Sequence, residues 1–174
     1  MSWIMVDVES DGPCPGLYSM TEVGAILVQE DLANAPTFYG QFCPISDNYM
    51  QEALDVCKRT RDETLGFPDP REVMTQFEQW LQEHAGDRPM FISDNNGFDY
   101  QWVCYYFYKM LGHNPFGHSS TNLGSLYKGL IGNTFKNFKH LRKTRHTHHP
   151  VDDARGNAEA MLHMKNEMGL KIKL

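Results

Sequence analysis

Apolar positions along this chain switch between two periods, and each switch marks an element. Trp3–Val8 is a compact apolar run of strand length, and Glu22–Gln29 and Thr37–Cys43 read as the next two strands, a β-meander. Proline and glycine punctuation at Gly12-Pro13-Cys14-Pro15-Gly16 makes the first connection a loop. Met50–Arg59 reads as a short helix. The next helix carries start signals, Asp69 as N-cap and Pro70 at the first turn, and then sets Val73, Phe77, Trp80 and Leu81 on one face. Arg88–Ser93 is a fourth strand, Phe98–Leu111 a helix stopped by Gly112, and Leu123–Ile131 a further helix. Val151–Met168 is the last helix, ended by Gly169. Strands and helices in this order make an α/β chain. No repeat, low-complexity stretch or linker divides it, so residues 1–174 form a single domain.

Composition agrees with that picture. Hydrophobic residues are 41% and aromatic ones 12% of 174, enough for an ordered core and against disorder. No apolar run approaches the roughly eighteen residues that a bilayer span requires. Met1-Ser2-Trp3-Ile4-Met5-Val6-Asp7 has no basic start and an early carboxylate, unlike a signal peptide. Cys14, Cys43, Cys57 and Cys104 lack a paired metal-binding spacing and read as reduced packing residues. These features lead us to expect a cytoplasmic protein.

Charge adds an asymmetry. The formal net charge of −6 argues against a general nucleic-acid coat. Yet Lys136, Lys139, Arg142, Lys143 and Arg145 lie in a stretch with four histidines and no acid, leaving 11 basic against 22 acidic residues elsewhere. Such a stretch is either an ordinary solvated loop or a local grip on phosphates, on a body that holds cations.

Three short segments carry candidate chemistry. Asp7 and Glu9 are two apart on the first strand, so they share a face at roughly 7 Å while Val6 and Val8 turn to the other. Two carboxylates on a buried strand repel each other unless a cation lies between them, although acidic strand ends are also common without one. In Asp94-Asn95-Asn96-Gly97-Phe98-Asp99 the last residue falls in the first turn of a helix, in register with Val103, Tyr106 and Met110. A helix N-terminus favours an acid there, but only an inward role explains its apolar face. In His148-His149-Pro150-Val151-Asp152-Asp153 a carboxylate again opens a helix, with a histidine five residues before it that could deprotonate a water. The histidines His140, His146, His148 and His149 could alternatively hold zinc; no cysteine pair supports that, and the carboxylates suit Mg²⁺ or Mn²⁺ better.

Taken together these segments resemble the DEDDh 3′–5′ exonucleases of the ribonuclease H-like superfamily, the DnaQ-like family. The matching residues are Asp7 and Glu9, then Asn95, Phe98 and Asp99, then His148 and Asp153. Asp94 stands where many members have histidine, and Pro150 where they have alanine. In its compact single-domain form the chain is most similar to exoribonucleases such as ribonuclease AS, oligoribonuclease and ribonuclease T.

The resemblance implies a five-stranded mixed sheet flanked by helices, with the site at the strand ends, and two Mg²⁺ or Mn²⁺ ions. By that likeness Asp7 bridges both ions, Glu9 and Asp153 complete the site of the attacking water, Asp99 supports the second ion and His148 is the general base. It also implies that Ser10, Asp11 and Gly12 meet the terminal sugar and base, with Asn95 near them. Phe98 would either stack on the last base or start its helix in the core. Lys139, Arg142 and Lys143 would guide the backbone of a single strand. The expected reaction releases nucleoside 5′-monophosphates from 3′ ends, RNA favoured, with a DNA-specific trimming or proofreading module as the alternative and a non-catalytic binding domain a third. Trp102, Tyr105, Tyr106, Phe107 and Tyr108 are too many large residues for one buried stripe, which points to a second buried face and a homodimer.

Overall fold

The computed structural model describes all 174 residues. Five strands, β1 (Ser2–Ser10), β2 (Met20–Leu27), β3 (Thr37–Gln41), β4 (Pro89–Ser93) and β5 (Ser120–Asn122), form one mixed sheet in the order β3-β2-β1-β4-β5. β1 is central, antiparallel to β2 and parallel to β4. The helices are α1 (Gln51–Val56), α2 (Arg61–Leu65), α3 (Pro70–Ala85), α4 (Asn96–Leu111), α5 (Leu123–Ile131) and α6 (Pro150–Glu167).

Period-two alternation of β1 sorts the core into two layers. Ile4, Val6 and Val8 pack with Phe77 of α3 and Trp102 and Tyr106 of α4 on one side. Met5 packs with Ile92, Leu123 of α5 and Ala154, Ala158 and Met161 of α6 on the other. Small alanines let α6 lie close to the sheet. No helix is long and apolar enough to cross a membrane.

Several elements differ from the sequence reading. Met50–Arg59 is not one helix: α1 stops at Val56, Lys58 takes a left-handed φ of 57°, and Thr60 opens α2 with a capping box to Glu63. The fifth strand implied by the family resemblance is β5, which the periodicity did not locate: its three polar residues have no alternation to read, and pairing with β4 defines it. The aromatic helix buries one broad stripe within the chain and leaves Tyr105 partly open and Tyr108 exposed. Trp102, Tyr106 and Phe107 are fully buried, with Phe107 stacked on Phe77 and Tyr106 set edge-on against Phe42.

Candidate active site

β1 runs on through the acid pair, with a register irregularity between Glu9 and Ser10 that ends regular pairing beside the two carboxylates. Opposite Asp7 on β2 stands Gly24. A Cβ there would lie 2.3 Å from backbone atoms of Pro150 and Val151, so the glycine is what lets the start of α6 press onto the sheet. That approach delivers Asp153, which is 1% exposed. One carboxylate oxygen each from Asp7, Glu9 and Asp153 lie within 4.8 Å of one another. Asp99, 4% exposed in the first turn of α4, is the fourth acid of the group.

Burial, reinforced by mutual repulsion, dominates the electrostatics. Burial, reinforced by Asp99, Glu9 and Asp153, lifts the Asp7 carboxyl well above its ordinary range, opposed by Arg142. Burial, with Asp153, Glu22 and Asp99 adding to it, raises Glu9 to about 8. Asp99 is raised to about 7, chiefly by burial and further by Asp94. The close side-chain contacts of the group are with histidines: His146 Nδ1 is 2.8 Å from Asp153 Oδ2, and His148 Nδ1 is 3.9 Å from Glu9 Oε1. Such a set of hard oxygen donors fits a divalent cation.

The loop before α6 holds Asp153 from above. Thr147 and His148 donate backbone N–H bonds to its two oxygens at 3.1 and 3.0 Å. His148 does so with φ of 61°, a left-handed conformation that costs a histidine about 1–3 kcal/mol. This turn folds its ring back against His146, with centroids 4.2 Å apart. Burial, with the His146 ring next, holds His148 below the ordinary histidine value, which favours the neutral form. His149 points elsewhere and stacks on Tyr39 at 4.8 Å. His140 sits edge-on to Tyr127.

Beside Glu9 a cleft of about 380 Å³ is lined by Ser10, Gly12, Pro13, Met50, Ala53, Val56 and Phe98. Phe98 lines the cleft and also packs edge-on against Trp102, half-buried at the start of its helix. Ser10 lines the cleft but spends its hydroxyl on Gly12 O at 2.7 Å. Asn95 is exposed at the start of α4, where its carbonyl accepts from Phe98 and Asp99 N–H.

Two expected substrate contacts are corrected. Asp11 is fully buried, accepting from Ser19 N–H and pairing with Arg61 at 2.8 Å, so it fixes the loop after β1. Arg142 has an 8% exposed side chain that pairs with Asp94 at 3.0 Å and donates to Asn157. It ties the start of α4 to α6, the two helices that carry Asp99 and Asp153. Lys139 and Lys143 remain exposed, on a concavity of about 230 Å³ that Arg142, Thr144, Arg145 and His146 also line. The sequence reading missed Met50, Ala53 and Val56 as cleft walls; α1 faces Phe98 only through the tertiary fold. It missed Arg59 too, which pairs with the buried Glu22 beside Glu9 in the sheet register.

Comparison with known proteins agrees with this arrangement. Residues 4–161 match the family model RNase_T, described as Exonuclease. The 3′–5′ DNA exonuclease Cap18 of Escherichia coli is 32% identical over 131 residues, 74% of this chain and 68% of that protein. Among solved structures, a 3′-exonuclease that recognises the histone mRNA stem-loop superposes with a TM-score of 0.78 at 13% identity, over 98% of this chain and 66% of that one. Escherichia coli exonuclease I bound to a dA16 oligonucleotide superposes with a TM-score of 0.74 at 16% identity, over 95% of this chain. The chain spans only 41% of the length of that exonuclease I. At such identities the structural likeness concerns the fold. The family match over nearly the whole domain, with all four acids and His148 gathered where β1, α4 and α6 meet, shows that the chain belongs to the DnaQ-like 3′–5′ exonuclease family.

Proposed function

We propose that this domain is a divalent-metal-dependent 3′–5′ exonuclease that releases nucleoside 5′-monophosphates from single-stranded 3′ ends. The carrying observation is the convergence of Asp7, Glu9 and Asp153 within 4.8 Å, with buried Asp99 beside them and no lysine or arginine in direct contact. Asp7, Glu9, Asp99 and Asp153 would hold two ions of the Mg²⁺ or Mn²⁺ kind. Bound ions would supply charge stabilisation at the attacking and leaving oxygens of an in-line displacement.

The chain's own residues do the rest. His148 Nδ1 faces Glu9 and accepts the proton of a water held beside that carboxylate, since burial favours the neutral ring, which has a lone pair to offer. The loop hydrogen bonds to Asp153 keep that carboxylate aimed at the site. Water attacks the terminal phosphorus, the bond to the 3′-oxygen of the penultimate nucleotide breaks, and a 5′-monophosphate leaves. The apolar cleft at Phe98 and Met50 receives the terminal base, since an apolar wall accepts any base face.

Single-stranded DNA is the substrate we favour. The expectation of RNA rested on the size of the domain, whereas the 32% identical relative is named a DNA exonuclease. Matched 3′-tailed DNA and RNA strands, incubated with Mg²⁺, Mn²⁺ or EDTA, test the reading. Mononucleotides should accumulate from the 3′ end, DNA first, and EDTA or Asp7→Asn should stop the reaction. Internal cuts, or cleavage that survives EDTA dialysis, would sink it.

A further inference from the structure

The loop before α6 gathers more donors than the proposed reaction uses. One ring nitrogen of His146, one of His148 and a carboxylate oxygen of Asp153 lie within 4.8 Å of one another. We propose that these three residues form a Zn²⁺ site, and that its occupancy shuts the exonuclease off.

Donor chemistry separates this set from the carboxylate group. Two imidazoles and one carboxylate suit a borderline-soft ion such as Zn²⁺, whereas Mg²⁺ takes oxygen donors. The set is also prearranged. Asp153 is fixed by the N–H groups of Thr147 and His148, and the left-handed turn at His148 brings its ring to that of His146. His146 Nδ1 already touches Asp153 Oδ2. Small rotations of the two rings replace that contact with a nitrogen–metal–oxygen bridge, and the Nδ1 proton moves to Nε2 through solvent. Both histidine side chains are partly open to solvent, which gives the ion its entry and leaves room for water as fourth ligand. The neighbouring His140 and His149 are engaged with Tyr127 and Tyr39, and no cysteine stands in the cluster.

Inhibition follows from sharing, and this half rests on the proposed exonuclease reading. Asp153 belongs to both donor sets. Zn²⁺ on His148 also occupies the lone pair that would accept a proton from water.

Zn²⁺ and Co²⁺ titrations of the whole chain in excess Mg²⁺ test the site, read by competition with a chromophoric chelator and by the visible absorption of low-coordinate Co²⁺. One tight Zn²⁺ should bind. His146→Ala should weaken it by about 10-fold or more and abolish the Co²⁺ bands. If that variant does not fold, His146→Gln, which keeps a polar contact with Asp153, takes its place. Zinc affinity equal in wild type and variant, or complete displacement by Mg²⁺, would overturn the site. Zn²⁺ dose–response of cleavage, scaled to each protein's own zinc-free rate, tests the regulatory half. The half-inhibiting concentration should rise at least as much as the binding constant, and tight binding without inhibition would overturn that half. A chain that binds Zn²⁺ but never cleaves would fail the exonuclease reading and leave the site standing.

Discussion

His148 adopts a backbone conformation that costs it free energy, and Asp153 accepts the hydrogen bond that holds it there. His148→Ala should therefore lower single-turnover cleavage at neutral pH by about 10²–10⁴-fold, the range for a lost general base. His149→Ala loses only a stack on Tyr39 and should retain most activity. A dead His149 variant beside an active His148 variant would reverse the assignment. At this scale His148, in a loop, was singled out by the family motif, whereas the convergence of Asp7, Glu9, Asp99 and Asp153 was legible because each falls at a strand or helix position with a fixed direction. Asp11 was not: it follows the acid pair in the chain, but its partner Arg61 is fifty positions away. Nor was His146, whose contact with Asp153 depends on a turn that a histidine rarely makes.

The basic stretch from residue 136 to 149 combines two kinds of cation. Lys139, Lys143 and Arg145 face solvent, so neutralising all three should weaken single-strand binding and flatten its salt dependence, with little change in rate at saturating substrate. An unchanged salt slope would place that surface away from the strand. Arg142→Ala should instead lower thermal or urea stability, by about 2–4 kcal/mol, because Asp94 and Asn157 lose a nearly buried partner. A charge run shows where cations are dense and not which of them turn inward, so the two groups could not be told apart in advance. Helices with strong end signals were read well: α3 begins at Pro70 after an Asp69 cap that accepts from Arg71 and Glu72, and α4 ends at a left-handed Gly112. The Thr60–Glu63 capping box was equally visible in the sequence, but a continuous helical reading of Met50–Arg59 hid it.

Across the whole molecule the acid group couples folding to protons and cations. Glu9, at about 8, and Asp99, at about 7, stand above their ordinary values of 4.5 and 3.8, and Asp7 is raised as well. The folded chain therefore binds more protons than the unfolded one in between. The stability these groups contribute is full below about pH 4 and is lost as pH rises through 7 to 8. The melting temperature of the EDTA-treated protein should fall between pH 5 and 8 (roughly the span of these shifts), and Mg²⁺ should restore it most at the alkaline end. A melting temperature that rises over this interval without metal would contradict the electrostatic account. The two-layer core follows from β1 alternation, which the sequence displays; the sheet order needs β5, which only its pairing with β4 defines, and the close seat of α6 depends on Gly24, whose purpose shows only in three dimensions. The wide separation of the acids, from residue 7 to residue 153, also bears on how the protein is made. Translation delivers Asp7 and Glu9 first, while His148 and Asp153 reach the sheet only when α6 leaves the ribosome. Under the proposed function a nascent or prematurely terminated chain that lacks α6 would therefore not cleave the nucleic acids around it, since His148 and Asp153 join the site only with that helix.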